Sequence, residues 1–349
     1  MLALRLHRLD TNWLLLAGVM LFGVSMAQPP QKDPTRTAYF TIETGSSTGS
    51  NFAVGSTLAT ILSNPPGSVR CQIRTACGPP GLIAVALTSP GTVANARDVA
   101  LHRVESALVP ANIATAAYQG RDAFKNDGPY KDLRAIGKLY PEAIQLIVAK
   151  GRGIKSLSDL EGRVIAIDAE GTATNTTALA VLVAAGIPRK SVKLMDADAD
   201  RAADLLAAHR IGGFFLVANA PSEVVSRLAA RMAIELVPLG AGTIKKLDRM
   251  IYQPQIIPSA AYKGTSVTQT ASVGMLWLVS ARADEALIHQ LTAALWDDAN
   301  APFFTGFAGP RALRDATSGV PIPLHPGAER FYRERGVLPA KRADAAKPI

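Results

Sequence analysis

Thr37-Ala38-Tyr39-Phe40-Thr41-Ile42, then Thr44-Gly45-Ser46-Ser47-Thr48-Gly49, then Phe52, Gly55, Leu58, Ala59 and Leu62 at helical spacing: this stretch decides how the chain is read. A short run rich in β-branched and aromatic residues predicts a strand, the Gly/Ser/Thr cluster a turn, and the recurrence every three to four positions a helix. Pro65-Pro66-Gly67 stops that helix. The same unit recurs. Leu82 to Leu87 reads as a strand, Thr92 to Leu101 as a helix and Ser106 to Val109 as a short strand. After the Lys125-Asn126-Asp127-Gly128-Pro129 loop a second cycle begins, with strands at Ile144 to Val148 and Val164 to Ile167. The turn Ala169-Glu170-Gly171-Thr172-Ala173-Thr174 leads into a helix to about Ala185, which Gly186 and Pro188 terminate in the expected order. Val192 to Leu194, Phe214 to Val217 and Ile234 to Val237 are further strands between Ala-rich helices, and Val267 to Val279 is a run that returns the chain to its first half. Strands alternating with helices predict an α/β protein, and the repetition predicts two similar lobes, each a mainly parallel sheet flanked by helices, in place of one large sheet.

Composition agrees with a folded chain of that size. Its 349 residues are 48% hydrophobic and 19% charged, which excludes disordered and fibrous classes and provides core enough for two domains. Two cysteines exclude zinc ribbons, fingers and iron–sulfur clusters, and the five histidines (His7, His102, His209, His289, His325) include no pair at helical ligand spacing. Neither a metal nor a cofactor is expected. The net charge is +9, yet the basic residues are dispersed and aromatics are 6%, so the excess reads as a solvated surface and no nucleic-acid partner is expected.

Met1 to Ala27 carries Arg5 and Arg8, an apolar run from Trp13 to Val24, and Ser25-Met26-Ala27 as a small-x-small cleavage site. That is the pattern of a secretory signal peptide, with an apolar run short of the ~20 residues that span a bilayer. No cysteine follows the site, which argues against a lipoprotein. Export changes the meaning of Cys71 and Cys77: in an oxidising compartment two nearby thiols in a Pro/Gly-rich stretch are expected to pair as a disulfide, and their spacing is not the redox Cys-x-x-Cys.

Chemistry concentrates in the two strand-to-helix turns, Thr44 to Gly49 and Gly171 to Thr174. Such turns expose backbone N–H groups and hydroxyls at a helix N-terminus, where partial positive charge attracts carboxylates, although Ser, Thr and Gly also cap helices without any ligand. Neither a phosphate-loop nor a dinucleotide fingerprint is present. Gly45-Ser46-Ser47-Thr48-Gly49 does fit Gly-x-Ser-x-Gly, so an exported serine hydrolase with Ser47 as nucleophile and His289 or His325 as base is the enzymatic alternative. Against it, the turn follows the first strand of the mature chain, leaving no upstream strand-to-helix loop to supply the usual second oxyanion donor. Tyr140-Pro141-Glu142 is placed after an interlobe strand, where a ring and a carboxylate can face a cleft. His325 to Gly336 reads as a capped terminal helix with Phe331 packed inward.

Taken in order, the turn and helix from Thr44-Gly45 to Gly55, Thr92-Val93-Ala94-Asn95, Leu139-Tyr140-Pro141-Glu142, Ile154 to Val164 and the His325 to Gly336 terminus resemble the TAXI-type solute-binding proteins of TRAP transporters, from about Tyr39 to Gly336. The resemblance implies a two-lobed periplasmic-binding-protein clamshell that has no catalytic step. It would capture a small organic anion, an amino acid or a dicarboxylate, for a TRAP-type membrane permease. It places ligand contacts on Thr44, Gly45, Ser47, Thr48, Asn51, Phe52, Thr92 and Asn95 in the first lobe and on Tyr140, Glu142, Gly171, Thr172 and Thr174 in the second. The expected boundaries are 1–27 for the signal peptide, 37–135 with 268–338 for the first lobe, 136–267 for the second, and 339–349 for a flexible tail. A periplasmic monomer is expected, and a clamshell that reports its ligand to a signalling partner is the alternative within the same fold. Intact-mass measurement of the exported protein is expected to give a chain beginning at Gln28; a retained N-terminus refutes the cleavage site.

Overall fold

The computed structural model describes residues 38–47, 49–63, 71, 77–304 and 312–340, so the expected signal peptide, Thr48 and residues 341–349 of the expected tail lie outside the described residues. In the first half, β1 (Ala38–Gly45), β2 (Leu82–Thr88) and β3 (Ser106–Pro110) alternate with α1 (Ser50–Leu62), α2 (Thr92–Ala100) and α3 (Ala111–Gln119). The long β4 (Leu133–Ala149) crosses to β5 (Val164–Ala166), α4 (Ala173–Ala185), β6 (Lys193–Met195), α5 (Ala199–Ala207), β7 (Gly213–Ala218), α6 (Glu223–Arg231) and β8 (Ile234–Leu236). A short α7 (Ala241–Lys246) and β9 (Tyr252–Ile257) precede β10 (Thr268–Ser280), which returns the chain to α8 (Glu285–Leu295) and α9 (Pro326–Glu334).

The fold is α/β, a mixed sheet flanked by helices. β1 is parallel to β2 and β3, and β5 is parallel to β6 and β7, as the strand–helix alternation requires. Between these two parallel groups stand β10 and β4, antiparallel to each other and to the strands they meet, in the order β2-β1-β3-β10-β4-β7-β5-β6. The two groups therefore belong to one hydrogen-bonded sheet, which differs from the separate sheets expected from the repeat.

β4 is also much longer than the Ile144 to Val148 run, and Tyr140-Pro141-Glu142 lies inside it instead of after it. Pro141 hides the strand in the sequence, because proline cannot donate to a ladder and central strands accept it only beside irregularities. Such an irregularity is present: Met275 of β10 faces Tyr140 while Leu276 faces Lys138, leaving Leu139 unmatched.

Alternation along β4 divides the core. Ile144, Leu146 and Val148 join a cluster with Val93, Val99, Ile113, Val181 and Leu182, which runs beneath helices of both parallel groups. Ala143 and Ile147 point to a second cluster with Leu206, Phe214, Val225 and Leu228. A third, around Ile42, Leu58, Leu108, Trp277, Ile288 and Phe331, fills the other face of the first half. Successive side chains of a strand face opposite sides, so one strand feeds two layers. The terminal helix is capped as expected, with His325 Nδ1 accepting the Gly327 N–H at 3.2 Å and Phe331 buried. Cys71 and Cys77 form the expected disulfide, with Cα atoms 5.1 Å apart.

Gly213 shows how closely the central strands approach. It pairs with Val148 of β4 and Ile165 of β5, and a Cβ there would lie 2.8 Å from both Ile147 O and Val148 Cγ1. Gly213→Ala is expected to lower the unfolding free energy by about 1–3 kcal/mol in urea titration; an unchanged midpoint and slope would show that the strands have room to part.

Candidate functional site

The carboxyl ends of the two parallel groups face one another across a short span of the central strands. β3 ends at Pro110, which pairs with Met275 of β10, and Met275 pairs with Tyr140 of β4. From the other side β7 ends at Ala218, opposite Ala143, which pairs with Ser272. Tyr140 to Ala143 and Ser272 to Met275 thus separate two sets of strand ends, from which α1, α2, α3 and α4 start. Ligands of open α/β sheets bind at such ends.

In the first half most polar groups are fastened to neighbouring backbone. Thr44 is buried, its hydroxyl donating to Leu87 O at 2.8 Å. Asn95 Nδ2 donates to Thr44 O at 3.1 Å and Leu108 O at 2.9 Å, tying α2 to β1 and β3, while its Oδ1 has no partner among the described residues. Thr92 Oγ1, at the first position of α2, is likewise buried without one. Gly45 O accepts the Ser89 N–H at 3.1 Å, Ser47 is exposed, and Phe52 is half-buried. Asn51, in the first turn of α1, accepts the Tyr140 hydroxyl proton on Oδ1 at 2.5 Å.

In the second half Gly171, at φ +87°, turns the chain into α4 beside α2: a Cβ on it would lie 3.7 Å from Val93 Cγ2. The Thr92 and Gly171 segments, placed in opposite lobes by the resemblance, are therefore brought together. Thr172 and Thr174 spend their hydroxyls inside the protein. Thr172 Oγ1 donates to Ala169 O at 2.9 Å and accepts the Asn175 N–H at 3.2 Å, capping α4, while Thr174 Oγ1 accepts the Val217 N–H at 3.1 Å and joins α4 to β7. Asn175 Nδ2 holds Asp168 O at 3.1 Å.

Sequence reasoning missed two contributors. Asn112, at the start of α3, donates from Nδ2 to Thr177 Oγ1 of α4 at 3.2 Å and keeps a buried Oδ1 without a partner among the described residues. The β7–α6 turn, Ala218 to Ser222, is held by Gln145, whose Nε2 donates to Ala218 O at 3.2 Å and Asn219 O at 3.4 Å. Tyr262 braces this arrangement, donating to Gln145 Oε1 at 2.5 Å and accepting the Ser222 N–H at 2.8 Å. The one signal in the sequence is polar Gln145 inside the otherwise apolar Ile144 to Val148 run.

Burial dominates the electrostatics. Glu142 is 3% exposed, its pKa pushed up to about 8 by loss of solvent, and no hydrogen bond among the described residues reaches its carboxylate. The Tyr140 hydroxyl is held well above its ordinary range by burial and then by Glu142. Glu43, near the end of β1, rises to about 7 through burial and the proximity of Asp98. Both carboxyls bind protons more tightly folded than unfolded, so their contribution to stability falls as pH rises from the ordinary carboxylate range toward 7 and 8.

The hydrolase alternative gains no geometry. His289 Nε2 lies 2.7 Å from Glu334 Oε2, His325 Nε2 lies 3.1 Å from Ala283 O, and no hydrogen bond among the described residues joins Ser47 to either ring. Among the described residues no cluster of three or more His, Cys, Asp or Glu is placed to hold a metal, and no helix is long and apolar enough to cross a membrane.

Thr172→Ala removes the α4 cap and is expected to lower stability by about 1 kcal/mol, read by urea unfolding. A change below a few tenths would show that the turn holds without the hydroxyl.

Among solved structures the chain is similar to a TctC solute-binding protein from Polaromonas, at 12% identity, TM-score 0.48, covering 78% of this chain and 88% of that one. It is also similar to the periplasmic aliphatic sulphonate-binding protein of Escherichia coli, at 12% identity and TM-score 0.44, covering 74% and 73%. An ancestral arginine-binding protein bound to arginine gives 12% identity, TM-score 0.46 and coverage of 78% and 98%. The match to a protein family spans residues 42–336, from β1 to just beyond the end of α9, and on that match the chain belongs to the NMT1-like family.

Proposed function

We propose that the protein is a periplasmic solute-binding protein of the TAXI type, which captures a small organic acid between two lobes and delivers it to a TRAP-type membrane permease without a catalytic step. The lobes are residues 37–135 with 268–338 and residues 136–267, with β4 and β10 as the hinge strands between them. The observation that carries this reading is the opposition of two sets of parallel strand ends across Tyr140 to Ala143, with helices beginning on both sides.

A carboxylate in that gap meets the N-termini of α1 and α2 from one side and of α4 from the other, where unpaired N–H groups and the helix dipole favour negative charge. Ser47 adds a hydroxyl at the α1 turn, while Phe52 and Tyr140 supply apolar walls. Thr44, Thr172 and Thr174 act through the turns they brace. A ligand touching both lobes binds the closed arrangement better than the open one, and that difference is the free energy available for closure.

Thermal-shift screening of the mature protein against amino acids and dicarboxylates tests the reading. A ligand at 100 times its dissociation constant is expected to stabilise the fold by about 2.7 kcal/mol. A protein that no small acid stabilises does not serve this function.

A further inference from the structure

We infer that Glu142 is the specificity-determining residue of the cleft, receiving the protonated amino group of an amino-acid ligand, so that loading releases a proton. The inference rests on the cleft reading above and narrows its ligand class.

The geometry lies in the pairing register. Glu142 faces Val273 of β10 and stands next to Ala143, opposite the last residue of β7; two positions before it, Tyr140 faces Met275, which pairs with the last residue of β3. A carboxyl is thereby held midway between the two sets of strand ends, nearly excluded from solvent and without a hydrogen bond among the described residues. Asn95 Oδ1 and Asn112 Oδ1, at the starts of α2 and α3, are buried acceptors that also lack a donor. Helix N-termini supply donors for a carboxylate, so what the site still needs is a ligand group that donates. A second carboxylate would bring acceptors to acceptors, whereas an ammonium supplies three N–H donors and a charge opposite to that of ionised Glu142.

Among the described residues, no basic side chain stands opposite Glu142 on the paired strands. On β10, Ser272, Val273, Gly274 and Met275 do not titrate, nor do Val217 and Ala218 of β7. On β4 itself, Tyr140 is bonded to Asn51, and Lys138 interacts with Asp315. Asp168, after β5, feels the like charges of Asp198 and Asp196, and Glu43 that of Asp98, with Glu43 Oε2 a further buried oxygen that has no partner among the described residues. Without ligand, burial pushes the pKa of Glu142 up to about 8, which favours the protonated carboxyl at neutral pH. With ligand, the carboxyl gives its proton to solvent and the resulting carboxylate accepts N–H bonds from the ammonium; no other bond forms or breaks.

Calorimetric titration of the mature protein with L-alanine, L-leucine and L-glutamate, each beside its deaminated acid (propionate, 4-methylpentanoate, glutarate), tests this. The titrations run at about pH 6.5 in two buffers of different ionisation enthalpy. At least one amino acid is expected to bind roughly tenfold or more tightly than its counterpart, releasing close to one proton. Its affinity is expected to rise by up to about tenfold per pH unit between roughly pH 6 and 8. Glu142→Gln is expected to flatten that rise, and the wild-type proton count stands as a readout that does not depend on the variant folding. Deaminated acids that bind equally well or better, with proton uptake or none, overturn the role of Glu142 while leaving the cleft reading intact. Failure of both sets to bind or to shift the melting temperature overturns the cleft reading and the assignment with it.

Discussion

Every other part of the structure depends on the backbone pairing between β4 and β10. A parallel group exposes hydrogen-bonding edges that must be satisfied, and here each group finds its inner edge covered by one of two long antiparallel strands. Because these strands run through both halves, the carboxyl ends of β3 and β7 arrive at a fixed separation, set by the residues from Tyr140 to Ala143. Bond geometry along a strand fixes that distance more firmly than any loop could. Side-chain anchors refine it: Asn95 fastens α2 to two strands at once, and Gln145 with Tyr262 holds the turn after β7.

A carboxyl buried at that separation costs stability, and no hydrogen bond among the described residues reaches Glu142 to offset that cost. Buried polar groups ordinarily have hydrogen-bond partners, so a buried carboxyl without one marks a candidate site. The contrast with Thr172 and Thr174 is instructive. Their hydroxyls close turns and join α4 to β7, so they shape the rim without remaining available to a ligand.

The local pattern made the strand–helix alternation legible, because Phe52, Leu58 and Leu62, or Gly186 with Pro188, signal elements by spacing and by backbone preference that act within a few residues. It also marked the two turns. What it hid was non-local. Pro141 masked the middle of β4, since the bulge that accommodates it exists only against β10. With that strand cut short, the repeat pointed to two sheets, and the continuity of the single sheet was lost. Asn112, Gln145 and Tyr262 are ordinary polar residues in sequence; only pairing between segments more than 60 positions apart reveals what they hold. Conversely Gly45 to Gly49 carries a nucleophile pattern by spelling alone, while the histidines it would need are engaged with Glu334 and Ala283.

The apolar cluster beneath α2, α3 and α4 is shared by both halves of the sheet, and the opposite face is divided into two separate clusters. One face of the sheet is consequently spanned by continuous packing, whereas the packing on the other face is interrupted. A swing that parts the undivided side uncovers hydrocarbon, at about 2.5 kcal/mol for each 100 Å² wetted. A swing on the divided side separates surfaces that were never one core. The shared packing beneath α2, α3 and α4 thus resists parting the two halves on that face, and truncating it is expected to weaken that resistance.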